Sequence, residues 1–152
     1  MLKLYSFSVD GEEQKIEGEY YRLNLSAGKK VLIDFSMPVR FCCANQRVRE
    51  LSGQVALMRG PLVYCLEERD NGPDLHLLRV NPQGKITTGE REIAGEKVLE
   101  IVTEGYREKI SEKSSLYSLY EPPKEETVSL HWIPYYTWAN RGENEMRVWL
   151  RQ

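Results

Sequence analysis

The sequence lacks the features that mark several large classes of protein. No apolar run approaches the ~20 residues that a membrane-spanning helix needs, and the N-terminal MLKLYSFS is too short and too polar for a signal-peptide core. Charges nearly balance, with 21 lysines and arginines against 23 aspartates and glutamates and a net charge of −2. We therefore predict no membrane partner and no nucleic-acid partner, because nucleic-acid binding favours a basic patch.

Cysteine is scarce, with Cys42, Cys43 and Cys65 the three in the chain. An odd number with two adjacent members is not a disulfide framework, so we predict a reducing compartment, the cytoplasm. The C-x-x-C spacing is absent, and the two histidines are His76 and His131. Neighbours on a strand point to opposite faces, so Cys42 and Cys43 would not converge on one ion. We predict structural cysteines and no metal site.

Sequence motifs of catalysis are also missing. There is no G-x-S-x-G, no H-E-x-x-H and no phosphate-binding glycine loop. The adjacent carboxylates Glu67-Glu68 and Glu125-Glu126 are interpreted as solvated acidic loops, since a glycosidase pair needs a set separation across a cleft. An independent enzyme would need such a cleft, or a cysteine beside His131. We predict no catalytic residues.

Short strands separated by turn residues fill most of the chain. Asp10-Gly11, between YSFSV and EEQKI, is a strong signal for a two-residue hairpin turn. Alternating apolar residues in 21–25 and 31–37, with the glycine of SAGKK between them, predict a second hairpin over 19–37. The continuously apolar LVYCL indicates a strand covered on both faces. The predicted later strands are LVYCL (62–66), 98–102, 128–133 and 146–150.

Helical signals are weak, which favours an all-β fold. The best helical candidate, residues 105–120, contains four serines among 111–118 and is followed by Pro122-Pro123. We interpret it as a strand-and-loop crossing. The strands and turns together predict an antiparallel β-sandwich, with a division into two small packed β lobes as an alternative. ERDNGPD (68–74) is the best boundary, giving lobes 1–70 and 71–152.

Several motifs resemble the C-terminal region of glycoside hydrolase family 127, whose best known activity is β-L-arabinofuranosidase. The resemblance extends over essentially the whole chain, although residues 75–128 match only loosely. The matching stretches are VDGEE (9–13), SMPVR (36–40), ANQRVR (44–49), VALMRGPLVYCLEERDN (55–71) and IPYYTWANRGENEMRVWL (133–150).

The resemblance implies an accessory role without catalysis. Family members carry their chemistry in a preceding (α/α)6 barrel, where a zinc-bound cysteine is the nucleophile and a separate glutamate is the acid/base. None of those barrel motifs is present here, so the resemblance implies no cofactor in this chain and zinc only in the absent barrel. The implied partner is that barrel. Lobe 1–70 is expected to lack an opening strand, and the sheet edge this exposes predicts self-association.

The aromatic stretch 130–150 raises one open alternative. Tyr135, Tyr136 and Trp138 follow a proline and fall in or beside a bend, where rings are able to stack on the C–H face of a sugar. Asn140 and Arg141 would then hydrogen-bond sugar hydroxyls. In the other interpretation the aromatics pack the sandwich and the polar pair ties the turn. We predict that most of the stretch is core, with a carbohydrate-binding module using residues 132–141 as the alternative.

Overall fold

Strands dominate the computed structural model, which describes residues 3–15, 20, 22–24, 26–110 and 115–152. These described residues form twelve strands in two sheets, one short α-helix and three 3₁₀ turns. The prediction of an all-β fold is confirmed. None of the helices in the described part is long and apolar enough to cross a membrane.

The smaller sheet has three strands in the order β2-β1-β3. Its Asp10-Gly11 turn is confirmed, since Val9 pairs with Glu12 and both turn residues have positive φ, as a type I′ turn requires. Asp10 also accepts a hydrogen bond from the Lys30 amide at 2.9 Å, which ties this turn to the start of the third strand. The strands are β1 (Lys3–Val9), β2 (Glu12–Glu13) and β3 (Val31–Ser36).

The predicted hairpin over residues 19–37 is wrong in its pairing. β3 forms, but its partner is β1, with Phe7 opposite Ile33 and Val9 opposite Val31. Residues 22–24 are not in a strand, and residues 21 and 25 lie outside the described part. Alternation reports the period of a strand and its faces; it does not identify the partner.

The larger sheet has nine strands, and six of them close into a ring. The pairs run β5–β6, β6–β10, β10–β9, β9–β7, β7–β12 and back from β12 to β5. β4 flanks β5, β8 flanks β9 and β11 flanks β6. The strands are β4 (Val39–Cys43), β5 (Gln54–Arg59), β6 (Leu62–Glu67), β7 (Leu78–Val80), β8 (Ile86–Ile93), β9 (Glu96–Glu108), β10 (Glu125–Pro134), β11 (Met146–Arg147) and β12 (Trp149–Arg151).

The interior of this ring is the main hydrophobic core. Side chains alternate between the two faces of a strand, so every second residue of each ring strand points inward. Trp132 is the largest fully buried side chain, and its indole Nε1 donates to Thr103 Oγ1 at 2.9 Å. The ring core consists of Val55, Leu57, Tyr64, Leu66, Leu75, Leu78, Val80, Ile101, Leu130, Trp132 and Leu150.

A second, outer cluster lies on the opposite face of the same strands, where Cys65 and Ile133 pack with Ile93 and Val98. The prediction that residues 146–150 form one strand is wrong, because the strand is interrupted at Val148 between β11 and β12. Val148 packs against the outer cluster, whereas Leu150 enters the ring core. This interruption lets one short segment contribute to two clusters.

Two further sequence predictions concern the segment 105–120 and the division of the chain into lobes near residue 70. β9 runs to Glu108, and residues 115–124 form neither helix nor strand, while residues 111–114 lie outside the described part. The strand-and-loop interpretation of 105–120 therefore holds for the residues described. Strands from both sides of residue 70 pair in the larger sheet, and the division into lobes 1–70 and 71–152 stays a prediction.

Gly105, on β9, lies at a tight contact inside the ring. A Cβ atom there would be 2.5 Å from Leu130 Cδ1 and 2.6 Å from the Arg79 carbonyl oxygen. We expect Gly105→Ala to lower the free energy of unfolding by about 1–3 kcal/mol, because the backbone carbonyl cannot move aside. Urea unfolding measures this change. Gly89→Ala, on β8 with open space at its Cβ position, is the control, and an equal loss in both variants would contradict the explanation.

Candidate functional site

The chain leaves β10 through a short, tightly bonded segment, residues 134–142, which we call the aromatic loop. Tyr135–Thr137 form a single 3₁₀ turn, and the Trp138 amide donates to the Tyr135 carbonyl at 3.1 Å. Thr137 is fully buried, and its hydroxyl donates to the Pro134 carbonyl at 2.7 Å. The buried Thr137 side chain therefore ties the turn to the end of β10.

Three aromatic side chains of this loop face solvent. Tyr135 is 44% exposed, Tyr136 60% and Trp138 39%. The rings of Tyr135 and Trp138 are stacked, with centroids 6.2 Å apart and planes 27° from parallel. The prediction that most of the stretch 130–150 is core is therefore wrong. Leu130, Trp132, Ile133 and Pro134 are buried, but the loop aromatics are outside the core.

Two buried carboxylates hold the far end of the loop. Glu67, at the end of β6, is fully buried, and its Oε2 accepts from Arg141 Nη2 at 2.5 Å while its Oε1 accepts from the Ala139 amide at 3.0 Å. Asp70, in the helix α1 (Glu68–Asn71), binds both Nη atoms of Arg141 at 2.5 and 3.0 Å. Arg141 thus forms ion pairs with two carboxylates, and these fix the loop to β6 and α1.

The ion pairs continue away from the loop across the neighbouring strands. Arg91 on β8 donates to Asp70 Oδ1 and to Glu100 Oε1, each at 2.6 Å. His131 Nδ1 lies 3.1 Å from the same Glu100 oxygen. Asn71 bonds both the amide and the carbonyl of His131. We call the set Glu67, Asp70, Arg91, Glu100, His131 and Arg141 the ionic network.

Asp70 and Arg141 favour their charged forms within this network. Burial alone would raise the pKa of Asp70, but its hydrogen bonds and proximity to Arg141 and Arg91 outweigh burial and hold that pKa below its usual value. The hydrogen bond to Asp70 is the main reason that the pKa of Arg141 is raised. Both groups therefore stay charged at neutral pH. An aspartate held ionised in this way has no proton to donate as a general acid.

The structure distributes the predicted sugar-contact residues between two environments. Tyr135, Tyr136, Trp138 and Asn140 are exposed. Arg141 has a side chain only 14% exposed, and both of its Nη atoms are bonded to carboxylates.

Sequence reasoning missed the carboxylates that bind Arg141. Glu67 was predicted to lie in a solvated loop and is instead fully buried, which is a correction. Glu67 directly follows LVYCL, the strand predicted to be covered on both faces, and this position in the sequence could have indicated its burial. Glu125 and Glu126, by contrast, are exposed and pair with Arg79 and Lys109, but they begin strand β10, so the prediction of a loop there is also wrong.

The cysteines and histidines do not converge. Cys65 is buried, and burial is the largest cause raising the pKa of its thiol to about 12. Cys42 is half-buried and Cys43 is exposed. Structural zinc sites need four converging ligands and catalytic ones three; over the ranges described, no three His, Cys, Asp or Glu residues are placed to hold a metal. These residues do not fit a zinc site.

Comparison with known proteins identifies relatives for nearly the whole chain. The model of the glycoside hydrolase family 127 C-terminal domain matches residues 39–151, which is the span of the larger sheet from β4 to β12. The chain is 36% identical, over 97% of its length, to the non-reducing end β-L-arabinofuranosidase of Bifidobacterium longum subsp. longum, and this covers 24% of that protein.

Solved structures give the same picture. A family 127 β-L-arabinofuranosidase from Geobacillus stearothermophilus T6 is 36% identical with a TM-score of 0.77, covering 96% of this chain and 24% of that one. A structure described as a glycoside hydrolase is 30% identical with a TM-score of 0.78, covering 96% and 25%. The chain thus spans about a quarter of the length of these relatives.

Proposed function

The chain belongs to the C-terminal domain family of glycoside hydrolase family 127, and from this premise we propose that it is a non-catalytic accessory domain of a β-L-arabinofuranosidase-type enzyme. Its role is to stabilise or dimerise that enzyme, and its partner is the catalytic (α/α)6 barrel. The single observation that carries this structural role is an exposed apolar surface on β3. The similarity to relatives about four times as long supports a partner of that kind.

The chemistry of the buried polar groups supports the non-catalytic part of the proposal. Glu67 and Asp70 bind Arg141, so both are occupied in holding the loop. The Cys65 thiol is buried with a pKa of about 12, whereas a nucleophilic cysteine must be a thiolate. We propose that any zinc-dependent step belongs to the barrel.

The compartment is a further part of the proposal. Cys42, Cys43 and Cys65 are all free, which supports a reducing environment. We propose the cytoplasm.

The β3 surface consists of Leu32, Ile33 and Phe35, all exposed. Leu32 and Ile33 are neighbours on a strand and point to opposite faces, so β3 presents apolar groups on both sides of its sheet. Among the described residues β3 pairs only with β1, which leaves backbone donors and acceptors along its outer edge. Exposed apolar groups beside an open strand edge favour association with another chain.

We expect the purified chain to self-associate through the β3 surface, with an apparent mass that rises with concentration in multi-angle light scattering. Ile33→Lys should shift the chain toward monomer, because a lysine on this surface opposes burial and strand addition. Leu116→Lys, which replaces an exposed leucine far from β3 in sequence, is the matched control.

A wild-type chain that remains monomeric at all concentrations would contradict self-association. The same samples, incubated with a β-L-arabinofuranoside, test the other half of the proposal. Turnover by the chain alone would show that it is an enzyme in its own right.

A further inference from the structure

The geometry of the aromatic loop points to a second function: we propose that Tyr135, Tyr136 and Trp138 form a contact surface for a neutral saccharide. This surface is different from the β3 surface and would add recognition to a domain whose proposed role is structural. Four features of the described residues carry the inference: open ring faces, a rigid support, local neutrality, and small area.

The open ring faces come from the offset between Tyr135 and Trp138. A separation of 6.2 Å with planes 27° from parallel lies toward the long end of the range for aromatic pairs, about 4.5–7 Å between centroids. Both side chains keep a large exposed fraction beside this contact, 44% for Tyr135 and 39% for Trp138. Tyr136, the most exposed of the three, extends the aromatic surface. Flat, uncovered rings are suited to the C–H faces of sugars, with the tyrosine hydroxyls and the exposed Asn140 beside them for hydrogen bonds.

The rigid support comes from beneath the loop. Buried Thr137 closes the turn on Pro134, and fully buried Glu67 accepts from the Ala139 amide. Ala139 has a φ of 63°, in the left-handed region that alanine rarely adopts. A strained backbone persists only where its surroundings over-determine it. The backbone that carries the aromatic rings is therefore held in place before any ligand arrives, which lowers the entropy lost on binding.

The loop itself carries no unmatched charge, and this favours one class of ligand. Arg141 is the only charged residue in 134–142, and its charge is matched by Glu67 and Asp70. A nucleic acid or an anionic ligand would need free cationic groups, which this loop does not present. A neutral polyhydroxyl compound needs none.

The small area favours a saccharide over a protein. A stable protein interface involves about 20–30 residues on each side, whereas the aromatic loop has nine. The loop offers three aromatic rings that carry hydroxyl and indole N–H groups. The β3 surface combines apolar side chains without polar groups and an open strand edge, which suit a protein partner better.

The choice of sugar rests on the proposed function. The relatives are β-L-arabinofuranosidases by description, so the first probe is a set of L-arabinofuranosyl oligosaccharides. A domain that holds such chains would raise their concentration near the partner barrel. The binding test itself requires neither that barrel nor self-association.

Isothermal titration of the wild-type chain with these oligosaccharides at millimolar concentration should give measurable heat. Trp138→Ala should weaken binding by about tenfold or more, since an aromatic contact and the area it buries are lost. Trp138→Phe, which keeps a ring, should retain most of the affinity. Tyr117→Ala removes a tyrosine that is exposed elsewhere and should bind as the wild type does. Circular dichroism verifies that each variant is folded, and Tyr136→Ala provides a second loop variant.

Three results would overturn the inference. No heat from the wild-type chain would exclude the saccharide surface. Equal binding by the wild type and both loop alanine variants would place the sugar elsewhere. Loss of self-association in Trp138→Ala without any sugar binding would make the loop a protein contact. Light scattering of the β3 variants is a separate measurement. A negative titration would leave the accessory role intact, and a negative light-scattering result would leave the saccharide surface intact.

Discussion

Replacement of Arg141 by methionine is expected to lower the free energy of unfolding by about 3–5 kcal/mol. The change removes the side-chain cation that binds fully buried Glu67 and one of the two that bind Asp70. Leaving a buried carboxylate without its cation lowers the free energy of unfolding far more than leaving an exposed one, since water does not replace the missing partner. Since whole domains are stable by only about 5–15 kcal/mol, this single change removes a large share of the total.

The control is Lys109→Met, which breaks the exposed ion pair between Lys109 and Glu126 at 3.3 Å. Exposed pairs contribute about 0.2–1 kcal/mol, so this variant should unfold almost as the wild type does. The double variant Glu67→Gln/Arg141→Met should recover part of the loss, because it no longer leaves the Glu67 carboxylate unpaired. Urea unfolding followed by tryptophan fluorescence measures all three. Equal losses for Arg141→Met and Lys109→Met would show that the network does not hold the loop.

The difference in the free energy of unfolding between the wild type and Arg141→Met should decrease at acid pH. The pKa of Asp70 is lower in the folded chain than in the unfolded one, so its contribution to stability is fully present above the unfolded value, about 3.9. That contribution disappears as the pH falls through the lower, folded pKa. Repeating the urea titrations at decreasing pH should therefore show the wild type losing stability faster than the variant.

Trp132→Ala is expected to destabilise the chain by about 3–5 kcal/mol, because it opens a cavity in the ring core. Trp132 is fully buried, packs edge-on against Phe41 with centroids 6.5 Å apart, and bonds Thr103 through its indole nitrogen. Its backbone pairs with β6 on one side and with β9 on the other. The side chain therefore contacts the core where three ring strands meet.

Two further tryptophan variants separate packing from hydrogen bonding. Trp132→Phe keeps a ring but leaves the buried Thr103 hydroxyl without its donor, and should lose about 1–3 kcal/mol. Trp138→Ala, in the exposed aromatic loop, should lose on the order of 1 kcal/mol or less, as surface changes usually do. If Trp132→Ala and Trp138→Ala lost equal stability in urea, the division of the aromatic stretch into core and surface would be wrong.

The aromatic stretch shows how far local pattern predicts position. Alternation placed Leu130 and Trp132 on one face of a strand, and both are in the ring core. The proline after Ile133 indicated a bend, and the exposed rings follow it. The pattern left open whether the loop aromatics turn inward, because residues outside regular structure have no period to read. Their exposure follows from how Thr137 and Glu67 fix the backbone beneath them.

What the sequence by itself determined was local: the all-β class, the turn at Asp10-Gly11, the strand at LVYCL and the resemblance to family 127. These depend on side-chain alternation, on residues that adopt positive φ, and on motif identity within short windows. The tertiary structure alone decided the pairing of β3 with β1, the interruption at Val148 and the closure of six strands into a ring. It also brought Glu67 and Arg141 together across 74 residues of sequence. Such contacts depend on which strands become neighbours, and that is set by closing the ring around one core, a constraint no short window of sequence contains.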